Sequence, residues 1–128
     1  MIHFDTNALI ALPEWSRMAT HPVIERVLAG ELAAACSVVW YEYAVGPVDD
    51  GELERAEGLL QGGIVAVTRE DASLAAQLFN AAGRHRTLKT DALIAAAAIR
   101  AGAEFVTVNV ADFEPFAAHG LRIVKATV

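Results

Sequence analysis

The feature that most constrains this chain is an unbroken apolar stretch, residues 92–99, that begins directly after the charged Asp91. Alanine and leucine are strong helix formers, and a stretch without a polar face predicts a helix buried on all sides. Thr90 is a candidate N-cap, and Gly102 can adopt the left-handed conformation that ends a helix. A carboxylate held against a core must be paired, capped or bound to a metal ion. Asp91 therefore either complements the helix dipole or belongs to a site.

Size and composition limit the class of protein. For 128 residues we expect a single domain, residues 1–128, and a hydrophobic share of 55% suits helices packed on a sheet. The apolar stretch is too short to span a bilayer, and we expect no signal peptide because no basic segment precedes an apolar one. The lone Cys36 cannot form an internal disulfide, so we expect a protein of the reducing cytoplasm. We also expect no contact with membranes.

The charge distribution is uneven. A net charge of −6 argues against binding of nucleic acid through broad positive charge. It does not exclude an enzyme whose acidic residues hold metal ions, because such ions can contact phosphates. Arg84, Arg86 and Lys89 fall close together, shortly before Asp91. For such a short basic run, a solvated helix end and loop is the ordinary interpretation.

Short apolar segments alternate with helical ones, which predicts a mostly parallel sheet covered by helices. Strands are expected at residues 1–4, 32–36, 64–67, 105–108 and 121–124, with the last one at an edge of the sheet. Helices are expected at residues 8–12, where Pro13 ends the helix, and at 22–28, 38–45, 49–60, 68–79, 89–100 and briefly 114–116. The predicted fold class is α/β, a single α/β/α sandwich with about five strands.

Four acidic residues stand at positions where a site would form. Asp5 and Asp112 follow predicted strands, Asp91 opens the buried helix, and Glu42 lies on the helix after the second strand. Ligand sites of parallel sheets gather at the carboxyl ends of the strands, so these side chains can converge on one edge. Taken alone, Asp5 is equally explained by an Asx turn that caps a helix.

Glu42 is the charge that is hardest to explain. On a helix, its neighbours three and four positions away are Val38, Val39, Val45 and Gly46, and none of them can pair with it. A tyrosine hydroxyl could be its partner, or the side chain could point to solvent. Because an unpaired buried charge is costly, we expect Glu42 to have a functional role.

A cluster of carboxylates requires a cation. Two like charges repel by about 4 kcal/mol at about 4 Å and an effective dielectric constant of about 20. Oxygen ligands without thiolate or imidazole favour Mg²⁺ or Mn²⁺ over zinc. Mg²⁺ keeps several waters, which provide a nucleophile and open positions for phosphate oxygens. A phosphatase of the haloacid dehalogenase type, with Asp5 as nucleophile, would need a second aspartate where this chain has Asn7.

The ordered set of acidic motifs resembles the PIN-domain family over essentially the whole chain. The matching segments are DTNAL at residues 5–9, Glu42, DALIAA at 91–96 and TVNVADF at 107–113. The length and the order of elements resemble the VapC-type toxins of prokaryotic toxin–antitoxin pairs. The resemblance implies a PIN-like fold and a ribonuclease that uses Mg²⁺ or Mn²⁺ to hydrolyse phosphodiester bonds in RNA.

The same resemblance implies roles for individual residues. Asp5 and Asp91 are the principal metal ligands, and Glu42 joins them directly or through water. Many relatives carry an acid directly after the fourth strand, where this chain has Asn109, and others carry it three residues later, as Asp112 does. The expected catalytic carboxylates are Asp5, Glu42, Asp91 and Asp112, the supporting polar residues are Thr6, Asn7, Thr107 and Asn109, and the RNA-binding candidates are Arg84, Arg86 and Lys89.

The resemblance also implies partners, namely an RNA substrate, a small antitoxin protein and a second copy of the chain in a homodimer. Exposed aromatic side chains around Trp15 or Trp40 are candidates for such contacts. A PIN-like module that binds RNA or a protein without cutting is the alternative. A metal site weakened by Asn109 would favour that alternative.

Overall fold

Five parallel strands form the sheet of this computed structural model, which describes residues 1–126. They are β1 (Ile2–Phe4), β2 (Ala33–Cys36), β3 (Gly63–Val65), β4 (Glu104–Thr107) and β5 (Arg122–Lys125). Their order is β3-β2-β1-β4-β5, so β1 is central and β5 lies at an edge. Every neighbouring pair is parallel. The predicted α/β class and the edge position of the last strand are confirmed.

Seven α-helices connect the strands within the described residues. They are α1 (Thr6–Ser16), α2 (Pro22–Leu28), α3 (Ser37–Ala44), α4 (Asp50–Leu59), α5 (Arg69–Ala81), α6 (Lys89–Arg100) and α7 (Val110–Ala117), with a 3₁₀ turn at Arg86–Leu88 between α5 and α6. Right-handed crossovers between parallel strands place α1–α4 on one face of the sheet and α5–α7 on the other. This arrangement is the predicted α/β/α sandwich.

The core lies along the central strands and α6. All residues of β1 and β2 are buried, as their lack of alternation indicates. In α6, residues 94–98 are buried, and their small alanine side chains let α5 and the sheet approach closely. The predicted burial of this helix is confirmed. None of the helices in residues 1–126 is long and apolar enough to cross a membrane.

The first helix is longer than predicted. It continues through Pro13 to Ser16, so the predicted end before Pro13 is wrong. Leu12 and Trp15 bury their side chains on this helix, which offsets the hydrogen bond that proline cannot make. Trp15 is only 6% exposed and stacks on His21 at a ring-centroid distance of 4.3 Å. Trp15 is therefore a core residue and not an exposed contact residue.

Two other helix boundaries also differ from the prediction. The 3₁₀ turn leads directly into α6, so the helix begins at Lys89 and Thr90 lies exposed in its first turn instead of capping it. The short helix expected near residue 115 extends over Val110–Ala117, because Phe113 and Phe116 bury one face of it. Asp112 consequently lies in the first turn of α7 and not in a loop.

Candidate metal centre

The connections of the sheet reverse direction between β1 and β4. From β1 the chain proceeds to β2 on one side, and from β4 it proceeds to β5 on the other side. In parallel sheets, a crevice at such a switch point, outside the carboxyl ends of the strands, collects ligand-binding residues. Asp5 directly follows β1 and Thr107 ends β4, so the topology places both residues at this crevice.

Asp5 is held by hydrogen bonds to both of its carboxylate oxygens. Oδ1 accepts from the Thr6 backbone N–H at 2.8 Å, and Oδ2 accepts from the Thr107 hydroxyl at 2.9 Å. The Thr107 hydroxyl also accepts from the Asn109 backbone N–H at 2.9 Å, which directs its own hydrogen towards Asp5. Asp5 is 4% exposed and occupies the N-cap position of α1. The capping interpretation is therefore confirmed, and it leaves the carboxylate at the crevice.

Glu42 reaches the same crevice from α3. Its Oε1 accepts a hydrogen bond from the Thr6 hydroxyl at 2.6 Å. The partner is therefore neither a tyrosine nor solvent, the two alternatives that the sequence left open, but the residue next to Asp5 on α1. The two helices pack against each other, which brings Glu42 to the first turn of α1. Thr6 thus contacts Asp5 through its backbone and Glu42 through its hydroxyl.

The carboxylates repel one another. Burial, and after it the charges of Asp5, Asp112 and Glu42 in that order, together raise the pKa of Asp91 to about 6. Burial also raises the pKa of Asp5, with additional repulsion from Glu42 and Asp112, while the hydrogen bonds from Thr107 and Thr6 act in the opposite direction. The four acidic residues selected from the sequence therefore share one electrostatic environment.

As they are positioned, the carboxylates do not surround a common point at which a metal ion could bind. Within residues 1–126, no three histidine, cysteine, aspartate or glutamate side chains are grouped so that they could hold a metal ion as positioned. The donors at the crevice are nevertheless all oxygens, the ligand type of Mg²⁺ and Mn²⁺, and a cation would remove their repulsion. The chemistry of the donors therefore fits such an ion.

Only some of the supporting polar residues contact the carboxylates. Thr6 and Thr107 are hydrogen-bonded to the carboxylates, whereas Asn7 is exposed and, among the described residues, forms no side-chain hydrogen bond with them. Asn109 contributes its backbone N–H to Thr107 at the N-cap position of α7. Asp112 is the acid that adds to the repulsion of Asp5 and Asp91.

The basic residues lie between the end of α5 and the start of α6, the helix that carries Asp91. Arg84, Arg86 and Lys89 are all exposed, at the end of α5, in the 3₁₀ turn and at the start of α6. Arg84 and Lys89 both lie over the ring of Phe79, at 5.5 Å and 6.0 Å from its centroid. Sequence reasoning placed Phe79 only on the apolar face of a helix. Its spacing from Arg84 gives no signal, because the turn after α5 creates the contact.

Fold and site together define an α/β domain with an acidic crevice at the switch point of a parallel sheet. The model of the PIN domain family matches residues 2–116. The chain belongs to that family. No curated protein gives a significant sequence match to the chain.

Three solved structures share this fold over nearly the whole chain. DNA-bound VapBC from Salmonella typhimurium is 20% identical, with a TM-score of 0.70 and 98% of each chain covered. A toxin-antitoxin complex from Klebsiella pneumoniae is 22% identical, with a TM-score of 0.69, covering 99% of this chain and 98% of that one. FitAcB from Neisseria gonorrhoeae is 18% identical, with a TM-score of 0.66 and 98% of each chain covered. At these identities the similarity lies in the fold.

Proposed function

We propose that this chain is a ribonuclease that requires Mg²⁺ or Mn²⁺ and hydrolyses phosphodiester bonds in RNA. The observation that carries the proposal is the mutual repulsion of Asp5, Glu42, Asp91 and Asp112, which contributes to raising the pKa of Asp91 to about 6. Strongly perturbed carboxylates in a crevice are typical of functional sites. Their shared negative charge suits a divalent cation better than it suits a covalent nucleophile.

In this proposal, Asp5 and Asp91 are the principal ligands, and Glu42 binds directly or through water. Asp112 supplies the fourth carboxylate, since it repels Asp5 and Asp91, whereas Asn109 carries no charge. A bound ion would supply an activated water and neutralise charge on the phosphate. Thr107 orients Asp5 and Thr6 orients Glu42 through the hydrogen bonds at 2.9 and 2.6 Å.

We further propose that the chain is the toxin of a toxin–antitoxin pair. The support is the family match together with structural neighbours described as VapBC and as a toxin-antitoxin complex. Its partners would then be a small antitoxin protein and a second copy of the chain in a homodimer. A cytoplasmic location follows from that role, because both the RNA and the antitoxin are found there.

The alternative is a PIN-like module that binds RNA or a protein without cutting. The absence of a closed ligand group within residues 1–126 and the neutral Asn109 favour it. Calorimetric titration with Mn²⁺ separates the two functions. The ribonuclease is expected to release or absorb heat on titration, and Asp91→Asn should remove that signal. No signal in the wild type supports the alternative.

Cleavage of a panel of single-stranded and structured RNAs tests the proposed activity. With Mg²⁺, Asp5→Asn and Asp91→Asn should each lower the rate by about 100-fold or more, because even residues that only orient metal ligands contribute 10- to 100-fold. Glu54→Gln, which neutralises an exposed acid on α4, is the matched control and should cleave like the wild type. Equal cleavage by all four proteins, or cleavage that persists with EDTA, contradicts the metal site.

A further inference from the structure

Two cations converge on one aromatic ring near the junction of α5 and α6. The guanidinium of Arg84 and the ammonium of Lys89 lie 5.5 Å and 6.0 Å from the centre of the Phe79 ring. Arg84 follows α5, and Lys89 is the first residue of α6, so separate elements supply them. Cation–π attraction stabilises each contact, but it also brings two like charges together.

These cations have no acidic partner in the described part of the chain. Its ion pairs use the N-terminal amine, Arg26 and Arg100, and none of them uses Arg84 or Lys89. Arg84 instead donates to the neutral side-chain oxygen of Asn80. Acids are plentiful, since the chain has 16 acidic and 10 basic residues. Converging cations without carboxylates are suited to bind an anion such as phosphate.

The backbone at Arg84 supports this placement. Arg84 has a φ of 60°, directly after Gly83 with a φ of 90°. A left-handed conformation costs a residue with a side chain about 1 kcal/mol. The two consecutive left-handed residues turn the chain at the end of α5, where the guanidinium lies over Phe79. Asparagine tolerates the same conformation without the charge, which provides a test.

A shallow apolar hollow of about 270 Å³ adjoins the cations. It is lined by Phe79, Lys89, Leu93 and the small side chains of Ala72, Ala75 and Ala76. Pockets that bind drug-sized ligands have volumes of about 300 to 1,000 Å³, so this hollow suits a smaller, flat group. Nucleobases stack on aromatic side chains, and each such contact contributes about 1–3 kcal/mol.

The hollow and Asp91 lie on different faces of the start of α6. Lys89 and Asp91 are in its first turn, about 3 Å apart along the helix axis, but side chains two positions apart leave a helix in nearly opposite directions. A strand whose phosphate contacts Lys89 would therefore continue around this turn to reach the carboxylates. The positive charge would offset the repulsion between RNA and a chain of net charge −6.

We propose that Phe79, Arg84 and Lys89 form a subsite for one nucleotide of the RNA strand, on the face that α5 and α6 share. The base lies in the hollow against Phe79, and the flanking phosphates contact Arg84 and Lys89. The identity of the strand rests on the proposed ribonuclease function. The contacts themselves require no metal ion, so binding and cleavage are tested separately.

Binding of a fluorescent single-stranded RNA in EDTA, across about 20–200 mM salt, tests the cations. Arg84→Asn combined with Lys89→Gln should weaken binding about 10-fold at low salt. It should also reduce the steepness of the salt dependence by about 1.4, because each phosphate contact on a single strand contributes about 0.7. Arg69→Gln removes one charge at the other end of α5 and should bind within about twofold of the wild type.

Phe79→Leu tests the ring. Leucine keeps an apolar side chain at this half-buried position but cannot stack a base or hold the cations. Affinity should fall about 5-fold or more, corresponding to the weaker end of base–aromatic stacking. An unchanged melting temperature for Phe79→Leu and for Arg84→Asn shows that the loss does not come from unfolding.

The outcomes separate this proposal from the proposed function. Loss of binding in the subsite variants without any cleavage by the wild type keeps the subsite and contradicts the ribonuclease. Cleavage by the wild type with unchanged binding in the subsite variants contradicts the subsite alone. The subsite is also wrong if Arg69→Gln weakens binding as much as Lys89→Gln, or if the wild type binds no RNA at the lowest salt.

Discussion

At the amino end of the sheet, Arg26 of α2 donates hydrogen bonds to Glu31 at 2.6 Å and to Glu104 at 2.7 Å. The guanidinium of Arg26 lowers the pKa of Glu31. At the carboxyl end of the same sheet, burial and neighbouring carboxylates raise the pKa of Asp5 and Asp91. The charged form of the acid is therefore stabilised at the amino end and destabilised at the carboxyl end.

The difference separates charges that the fold neutralises from charges that it leaves for a ligand. At the amino end, the Arg26 guanidinium pairs with Glu31, which precedes β2, and with Glu104, which begins β4. This ion-pair network joins the two strands and requires no further cation. At the carboxyl end, threonine hydroxyls hold the acids but cannot neutralise them. Retaining mutual repulsion in a fold is costly, and such a cost is usual at functional sites.

Thr107→Val has the largest effect among the changes that distinguish the two ends. Valine keeps the shape of the side chain but removes the hydroxyl that donates to Asp5 and accepts from the Asn109 N–H. Loss of a group that orients a metal ligand should lower kcat/KM for RNA about 10- to 100-fold and weaken Mn²⁺ binding. Cleavage kinetics and calorimetric titration measure both effects.

Ser16→Ala is the matched control for this change. Ser16 donates its hydroxyl to the Leu12 carbonyl at 2.9 Å, outside the crevice. Cleavage by Ser16→Ala should equal that of the wild type. A Thr107→Val protein that cleaves at the wild-type rate would show that the hydrogen bond to Asp5 does not position the site.

Asp91→Asn tests the unneutralised charge of the crevice through the stability of the folded protein. The folded pKa of Asp91 is about 6, against an ordinary aspartate value of 3.8, so the folded state binds more protons than the unfolded state between these values. The stability of the metal-free protein should therefore decrease as the pH rises from about 4 through about 6. At pH 7, Asp91→Asn should be more stable by about 1 kcal/mol, or roughly 4 °C in melting temperature.

Thermal unfolding in EDTA from pH 4 to pH 7 measures this difference. It should vanish near pH 4, where Asp91 is protonated in the wild type, and Mg²⁺ should reduce it at pH 7 by stabilising the wild type. A variant that is less stable than the wild type at pH 7 would show that Asp91 mainly complements the dipole of α6.

The sheet and the positions of the acids were predictable from the sequence for the same reason. Continuous apolar strands that alternate with helices specify a parallel sheet, and residues that follow such strands lie at its carboxyl edge. Asp5 after β1 and Asp112 after β4 are both at positions of this kind. The burial of α6 was equally predictable, because residues 92–99 offer no polar face.

Contacts between distant elements were not predictable. The partner of Glu42 is Thr6, 36 positions away, and the contact depends on how α1 and α3 pack. Trp15 lies in the core because α1 continues past Pro13, where local propensity ends a helix. The contact of Arg84 with the Phe79 ring depends on the left-handed turn at Arg84, which helical periodicity does not indicate.

Glu31→Gln has the smallest effect and tests the neutralised end. The side chains of Arg26 and Glu31 are 29% and 28% exposed, and Arg26 keeps Glu104, so the loss should be about 0.5–1 kcal/mol. Because the folded pKa of Glu31 is lowered, its contribution to stability is present above the ordinary glutamate value of 4.5 and disappears as the pH falls. This pH dependence is opposite to that of Asp91.

Thermal unfolding at several pH values and salt concentrations measures the stability of Glu31→Gln, and its RNA cleavage should equal that of the wild type. A Glu31→Gln protein that gains stability, or that loses cleavage, would show that the amino end is not the neutralised counterpart of the crevice.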